Sequence, residues 1–283
     1  MSWLSWIMRL FRRKPKPLPQ SPPGTGISLL VPFRAPPGSD RERSWTWLRD
    51  YWKHELPGAE IIVGTNSQVP FSKTAAVNDA ASRATGDIYV VLDADAYLYG
   101  AQITKAADEI REARAEGRKL WLIPYRHLYR MTHTATELVL SSDPAHPLRF
   151  SSPPPRRSYS ENGPYGDNTP GRGHWFAAMA IVLPKEAFER VGGLDGRMSG
   201  WGFDDVAVMR ALDTLYGKHK TLKGDILHLW HPIVYARKNV KMWPGQENPL
   251  MSQKLAERYY GATGNPAVMQ QLLDEREWDN PLP

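Results

Sequence analysis

A short apolar run, Ile88 to Leu92, opens at the turn residues Gly86 and Asp87 and ends abruptly in Asp93 and Asp95, one residue apart. Its β-branched and aromatic content between turn signals predicts a buried strand. Carboxylates at i and i+2 share one face of a strand. Where the strand gives way to a loop, both can turn toward the crevice beyond its carboxyl end, the place where open α/β sheets put ligands. Hard oxygen donors suit Mg²⁺ or Mn²⁺, which use one or two protein carboxylates together with substrate phosphates. Taken alone, an Asp-x-Asp tripeptide is read equally well as a solvated turn.

The flanking chain supplies the sheet that such a strand needs. Ile27 to Val31 reads as a first strand running into Pro32, Phe33 and Arg34. A helix is expected from Arg41 to Leu56, with Trp45, Leu48, Trp52 and Leu56 near helical spacing and Pro57-Gly58 as its stop. Glu60 to Val63 is a second strand, and Ser72 can cap a helix from Lys73 to Thr85 that Gly86 closes. After the Asp93/Asp95 strand come a helix from Ala101 to Glu116, a strand from Lys119 to Tyr125 and another from Trp175 to Leu183. A helix opens near Asp205 and runs to Tyr216, Ile226 to His231 is a last strand, and two helices follow near Pro249–Tyr260 and Pro266–Glu277. Strands and helices alternating at this pace predict an α/β domain, a mostly parallel central sheet flanked by helices. The C-terminal helices either pack on that domain or mediate assembly.

Several functions are excluded by what the chain lacks. It has no cysteine, so disulfides, thiolate zinc sites and cysteine nucleophiles are ruled out. That usage fits a cytoplasmic setting. The longest apolar run falls far short of the roughly 20 residues of a membrane-spanning helix. Of the net charge of +6, most sits in Arg9, Arg12, Arg13, Lys14 and Lys16, so the body is nearly neutral and no nucleic-acid partner is expected. Residues 1–16 fit either a peripheral membrane contact through an amphipathic, basic segment or a tail packing on its own domain or a partner. Pro15 to Gly26 is a Pro-rich linker, which sets residues 1–26 apart from the folded part. No glycine-rich dinucleotide or P-loop fingerprint is present. A bound nucleotide would be held by carboxylates and metal. The Pro-, Ser- and Arg-rich stretch from Ser141 to Arg172 is long enough to be a functional loop.

At Gly200 to Asp205 (Gly-Trp-Gly-Phe-Asp-Asp) a second motif joins the first. Together with Val31–Arg34, Phe71–Asn78, Gly86-Asp87, Val91–Asp95, Val191–Asp195 and Leu227–His231, it resembles the nucleotide-sugar glycosyltransferases of the GT-A, Rossmann-like fold. The likeness is to the β-1,4-galactosyltransferase and polypeptide N-acetylgalactosaminyltransferase branches and to bacterial or phage glycosyltransferase family 2 relatives. It implies a single catalytic domain at 27–240, with 27–125 as the nucleotide-binding half, 141–173 as a loop, 174–240 as the acceptor and catalytic half, and 241–283 as a helical extension. It implies transfer of a hexose or N-acetylhexosamine from a UDP-sugar donor to a hydroxyl acceptor on a protein or glycan, with Mn²⁺ or Mg²⁺ as cofactor.

By the same resemblance Asp93, Asp95 and His231 would hold the metal, with Asp93 also touching ribose and His228 ranked below His231. Pro32, Phe33, Arg34, Asn66, Lys73, Asn78, Asp93, Trp201 and Gly202 would line the nucleotide-sugar site. Asp205 would be the catalytic base for an inverting transfer, and Asp204 would bind sugar hydroxyls or cap its helix. The chain departs from the pattern after the second strand, where relatives carry an acid and Gly64-Thr-Asn66 stands here. Two other classes stay open: a sugar-nucleotide nucleotidyltransferase, though the Gly-rich basic signature after the first strand is missing, and a non-enzymatic carbohydrate-binding scaffold of transferase shape.

Overall fold

The computed structural model describes residues 25–68, 71–150, 178–198, 202–232 and 249–279. The basic tail, most of the 141–173 loop, Trp201 and residues 233–248 lie outside the described residues.

In chain order the elements are β1 (Ile27–Pro32), α1 (Asp40–Glu55), β2 (Glu60–Gly64), α2 (Lys73–Arg83), β3 (Ile88–Leu92), β4 (Ala96–Tyr97) and α3 (Gly100–Ala115). Then follow β5 (Leu122–Ile123), β6 (His127–Arg130), α4 (His133–Leu140), β7 (Ala180–Pro184), α5 (Lys185–Arg190) and α6 (Asp204–Leu215). The chain continues with β8 (Lys220–Thr221), β9 (Asp225–His228), α7 (Pro249–Gly261) and α8 (Pro266–Asp279).

The main sheet has the order β2-β1-β3-β7-β5-β8. Its strands run in one direction except β7, which is antiparallel to both β3 and β5. The fold is therefore α/β with a mostly parallel sheet flanked by helices, as the alternation predicts. β1, β3 and β7 are buried throughout, so they read as continuous apolar runs, which is the pattern of strands covered on both faces. Because β7 is reversed, its first residues lie beside the carboxyl end of β3, and Asp93 N–H donates to Met179 O at 2.9 Å.

A smaller sheet, β4-β9-β6, stands beyond that end of β3. β4 and β6 are too short to leave a periodic signature, and neither they nor α4 is foreseen from the sequence. The expected strand at 119–125 narrows to Leu122–Ile123, and the expected last strand at 226–231 becomes Asp225–His228.

Helix α1 forms where the apolar spacing predicts, with Ser39 as its cap: Ser39 Oγ accepts from Glu42 N–H at 3.3 Å, and Trp45, Trp47, Leu48, Tyr51 and Trp52 are buried. Burial of each such side chain contributes about 1.5–3 kcal/mol, and the Tyr51 hydroxyl is satisfied by Leu98 O at 2.8 Å. Ser72 caps α2 through Ala75 N–H at 3.2 Å. Gly86, expected as that helix's terminator, serves a close approach instead. Its N–H donates to Ser28 Oγ at 3.0 Å, and a Cβ there would lie 2.5 Å from both Gly26 O and Ser28 Oγ. At the chain's other end α7 and α8 both pack against α6. Among the described residues no helix is long and apolar enough to cross a membrane.

Gly64 sits where β2 meets α2, and a Cβ added there would lie 1.8 Å from Ala76 O. Gly64→Ala should therefore cost about 1–3 kcal/mol by overpacking. Gly261→Ala, at the end of α7 with open space around it, should be neutral or stabilise by about 0.4–1 kcal/mol. Urea midpoints at constant m-value check both.

Candidate functional site

Asp95 follows β3 by three residues and is nearly buried, with 8% of its side chain exposed. β4 pairs antiparallel with β9, placing Ala96 opposite His228, and Leu229 N–H donates to Asp95 O at 2.9 Å. That pairing carries residues distant in the chain to one point. Asp95 Oδ2 lies 3.8 Å from His228 Nε2 and 3.5 Å from His231 Nε2, and the two Nε2 atoms are 3.3 Å apart.

Asp95, His228 and His231 thus form a group able to hold a metal ion. Neighbouring ligand atoms around an octahedral ion with bonds of about 2.1 Å stand about 3 Å apart, so the observed spacing needs only a small contraction. His231 Nδ1 lies 3.0 Å from Pro232 O. With its proton on Nδ1 donated to that carbonyl, His231 presents the Nε2 lone pair to the centre.

A second cluster adjoins the first. Lys73, the first residue of α2, places Nζ 2.8 Å from Asp93 Oδ1 and 3.2 Å from Asp204 Oδ2. Asp93, expected among the metal ligands, is thus paired with a lysine, while Asp95 stands with the histidines. Asp204 and Asp205 open α6, where the helix dipole favours anions. Phe203 before them has φ 70°, the only described non-glycine residue with positive φ. This left-handed residue is the N-cap and makes no side-chain cap, so neither acid takes that position. Asp205 Oδ2 instead accepts from Ala178 N–H at 2.7 Å, and Oδ1 accepts from Val206 N–H at 2.8 Å. Asp204 Oδ2 is buried and, despite its ion pair with Lys73, has no aligned hydrogen-bond donor.

The environments push these carboxylates apart. Burial raises Asp205, the neighbouring Asp204 raises it further, and Lys73 with the two amides only partly opposes them, leaving it at about 7. Burial likewise lifts Asp93 to about 6 against the pull of Lys73; a quarter of this side chain remains exposed, so that burial effect is an upper bound. For Asp95 burial is outweighed by His228, Arg41, His231 and Lys73, which take it down to about 2. Burial lowers Lys73, but Asp204, Asp93 and Asp205 outweigh it and hold the ammonium well above its ordinary range.

The remaining expected residues lie at the end of β1 and around α2. Pro32 pairs with Gly64, and Phe33 packs on Trp45 with ring centroids 5.8 Å apart. Arg34 is exposed, donates to Gln68 O at 2.9 Å and lies over the Phe71 ring. The Asn66 carboxamide closes its own loop, donating to Ser72 O at 2.7 Å and accepting from Gln68 N–H at 3.1 Å. Asn78 clips the backbone of Leu194, donating to its O and accepting from its N–H, both at 2.9 Å. Gly202 has φ 101° with open space around it, and Trp201 lies outside the described residues.

Two participants were not singled out from the sequence. Arg41, half exposed in the first turn of α1, reaches Asp95 Oδ2 at 3.4 Å. Tyr125, fully buried, accepts from Met179 N–H at 3.0 Å through its hydroxyl. An arginine among several in 34–43 carries no local mark, and Tyr125 resembles any apolar strand residue.

No known protein family and no curated protein matches the sequence. Solved structures share its outline. The catalytic domain of Drosophila beta1,4galactosyltransferase 7, in complex with xylobiose, is 13% identical with a TM-score of 0.42, over 82% of this chain and 79% of that one. GalNAc-T7 with UDP, GalNAc and Mn²⁺ is 12% identical with a TM-score of 0.42, over 89% of this chain and 54% of that one. Mannosyltransferase PcManGT of Pyrobaculum calidifontis, with GDP-Man and Mn²⁺, is 15% identical with a TM-score of 0.42, over 99% of this chain and 84% of that one. Overlap at this level carries no statement about activity.

Asp205 keeps its proton up to about pH 7 when folded but releases it near pH 4 when unfolded, roughly the ordinary aspartate value. Its contribution to stability is therefore full below about pH 4 and is lost as pH rises through 7. Thermal melts between pH 4 and 8 should show the wild type losing ground steadily to Asp205→Asn. Parallel curves would remove the raised carboxyl.

Proposed function

We propose that this chain is a metal-dependent glycosyltransferase of the GT-A type, moving a hexose or N-acetylhexosamine from a UDP-sugar to a hydroxyl on a protein or glycan. One observation carries the reading. Asp95, His228 and His231 converge beside a lysine that ties Asp93 to the buried acid Asp204 at the start of α6. A cation site next to a carboxyl held near neutrality is what transfer from a nucleotide diphosphate to a hydroxyl requires.

Asp95, His228 and His231 would hold the ion. Two imidazoles favour a transition ion over Mg²⁺, so Mn²⁺ is the better fit of the two cofactors considered. When bound, the ion supplies Lewis acidity toward the departing diphosphate. Lys73 and Arg41 bring the positive side chains nearest to the acids, and Asp93, paired with Lys73, is assigned to the donor side. Pro32, Phe33, Arg34 and Gly202 are assigned to the nucleotide-sugar site, along with Trp201. Asn66 and Asn78 shape that site through the backbone they hold.

Asp204 Oδ2, buried without an aligned donor, is suited to accept a hydrogen bond from a sugar hydroxyl, which would relieve its unmet desolvation. Asp205 accepts one backbone N–H on each oxygen and keeps a second lone pair on each for the acceptor's proton. With a pKa near 7 it can take that proton at neutral pH and release it afterwards. In a retaining reaction the same group would orient substrate.

Incubation of UDP-galactose, UDP-N-acetylgalactosamine and related donors with Mn²⁺ and a set of glycan and protein acceptors tests the reading. UDP release with sugar transfer is expected. Asp95→Ala should fold, abolish transfer and lose the thermal stabilisation that Mn²⁺ gives the wild type, which reaches about 2.7 kcal/mol at a hundredfold excess over Kd. Asp205→Asn should slow turnover by roughly 10²–10⁴-fold with donor binding kept. Pyrophosphate chemistry, or no turnover with any donor, would overturn the assignment.

A further inference from the structure

The turn from Val191 to Met198 leads toward Asp204 and Asp205 and is gripped from two sides. On one side is α2, the helix that begins with Lys73. Asn78 clips Leu194, and Thr74 Oγ1 donates to Met198 O at 3.4 Å. On the other side are the C-terminal helices. Asp195, with none of its side chain exposed, accepts from the Tyr259 hydroxyl at 2.7 Å and from Arg197 Nη2 at 2.8 Å, and Arg276 Nε lies 3.3 Å away. Arg276 also donates to the Tyr259 hydroxyl and, through Nη1, to the carbonyls of Val191, Gly192 and Gly193 at 2.9, 3.3 and 3.3 Å. Gly192 and Gly193 both have positive φ, a backbone that glycine takes without the strain of a Cβ.

Apolar packing would attach α7 and α8 to α6 without the desolvation that a buried carboxylate and two guanidinium groups require. What the polar cluster adds is direction: the contacts of Tyr259 with Asp195 and of Arg276 with the three carbonyls end on specific atoms of the turn. We infer that Tyr259 and Arg276 are positioning residues for the acid pair. Through Asp195 and the three carbonyls they set the turn, and with it the start of α6 and the contact of Asp205 with Ala178 N–H. The C-terminal helices are then part of the catalytic unit. This rests on the reading of Asp204 and Asp205 as site acids.

Tyr259→Phe in the full-length chain removes one hydroxyl and keeps the ring, leaving Asp195 paired with both arginines. Hydrogen exchange reports on Asp205 without any assay of turnover. The Ala178 amide should exchange about tenfold faster in the variant, while amides of β1 and β3 keep wild-type protection. Turnover should fall about tenfold with donor KM and the Mn²⁺-induced thermal shift unchanged, since Asp95 and His228 flank the β4–β9 pairing and His231 follows it, away from the turn. Arg276→Lys, which keeps charge beside Asp195 but loses the fan of carbonyl contacts, should act in the same direction. Unchanged exchange at Ala178, or acceleration spread equally over the main sheet, would reduce both residues to general stabilisers. If the wild type transfers no sugar, the functional reading fails while the exchange comparison still decides the positioning role.

Discussion

Four carboxylates gathered beyond the carboxyl end of β3 repel one another, and the rest of this structure depends on how that repulsion is compensated. Lys73 takes up Asp93 and Asp204, while Arg41 and two imidazoles face Asp95. The compensation is uneven. Asp95 is left ionised down to about pH 2, and Asp205, facing Asp204 with only backbone amides of its own, holds a proton to about 7. Carboxyl groups driven apart by their surroundings are how one fold keeps an anion and a proton carrier within the same site.

The architecture delivers these groups by two devices. The first is the reversed strand β7. Its start lies against the end of β3, so Ala178 and Met179 meet Asp205, Tyr125 and Asp93 through three backbone hydrogen bonds. An all-parallel sheet would send that end of the strand to the opposite edge. The second is the β4–β9 pairing, which draws His228 beside Asp95.

Departures from local consistency cluster here. Phe203 takes a left-handed conformation, and Asp204 Oδ2 is buried without an aligned donor. Elsewhere caps, apolar periodicity and burial agree: Ser39 and Ser72 start their helices, and the aromatic face of α1 is inside. The left-handed Phe203 and Asp204 Oδ2 are adjacent in the chain, whereas the other buried side-chain atoms without a partner among the described residues, Ser44 Oγ and Trp52 Nε1, belong to α1.

The sequence alone determined the α/β class, β1 to β3, the helices α1 and α2, and the two C-terminal helices, because each rests on local periodicity and turn chemistry that a single segment expresses. It also marked Asp95 and Asp205, whose neighbours in the chain place them at a strand end and a helix start. What only the tertiary structure decided are the relations between segments. His228 is drawn beside Asp95 because β9 pairs with β4, a strand of two residues that leaves no pattern. Asp93 turned to Lys73, and Asn78 was committed to the backbone of Leu194, a partner 116 residues away. A side chain's partner across such a distance is chosen by packing, and no local stretch of residues carries it.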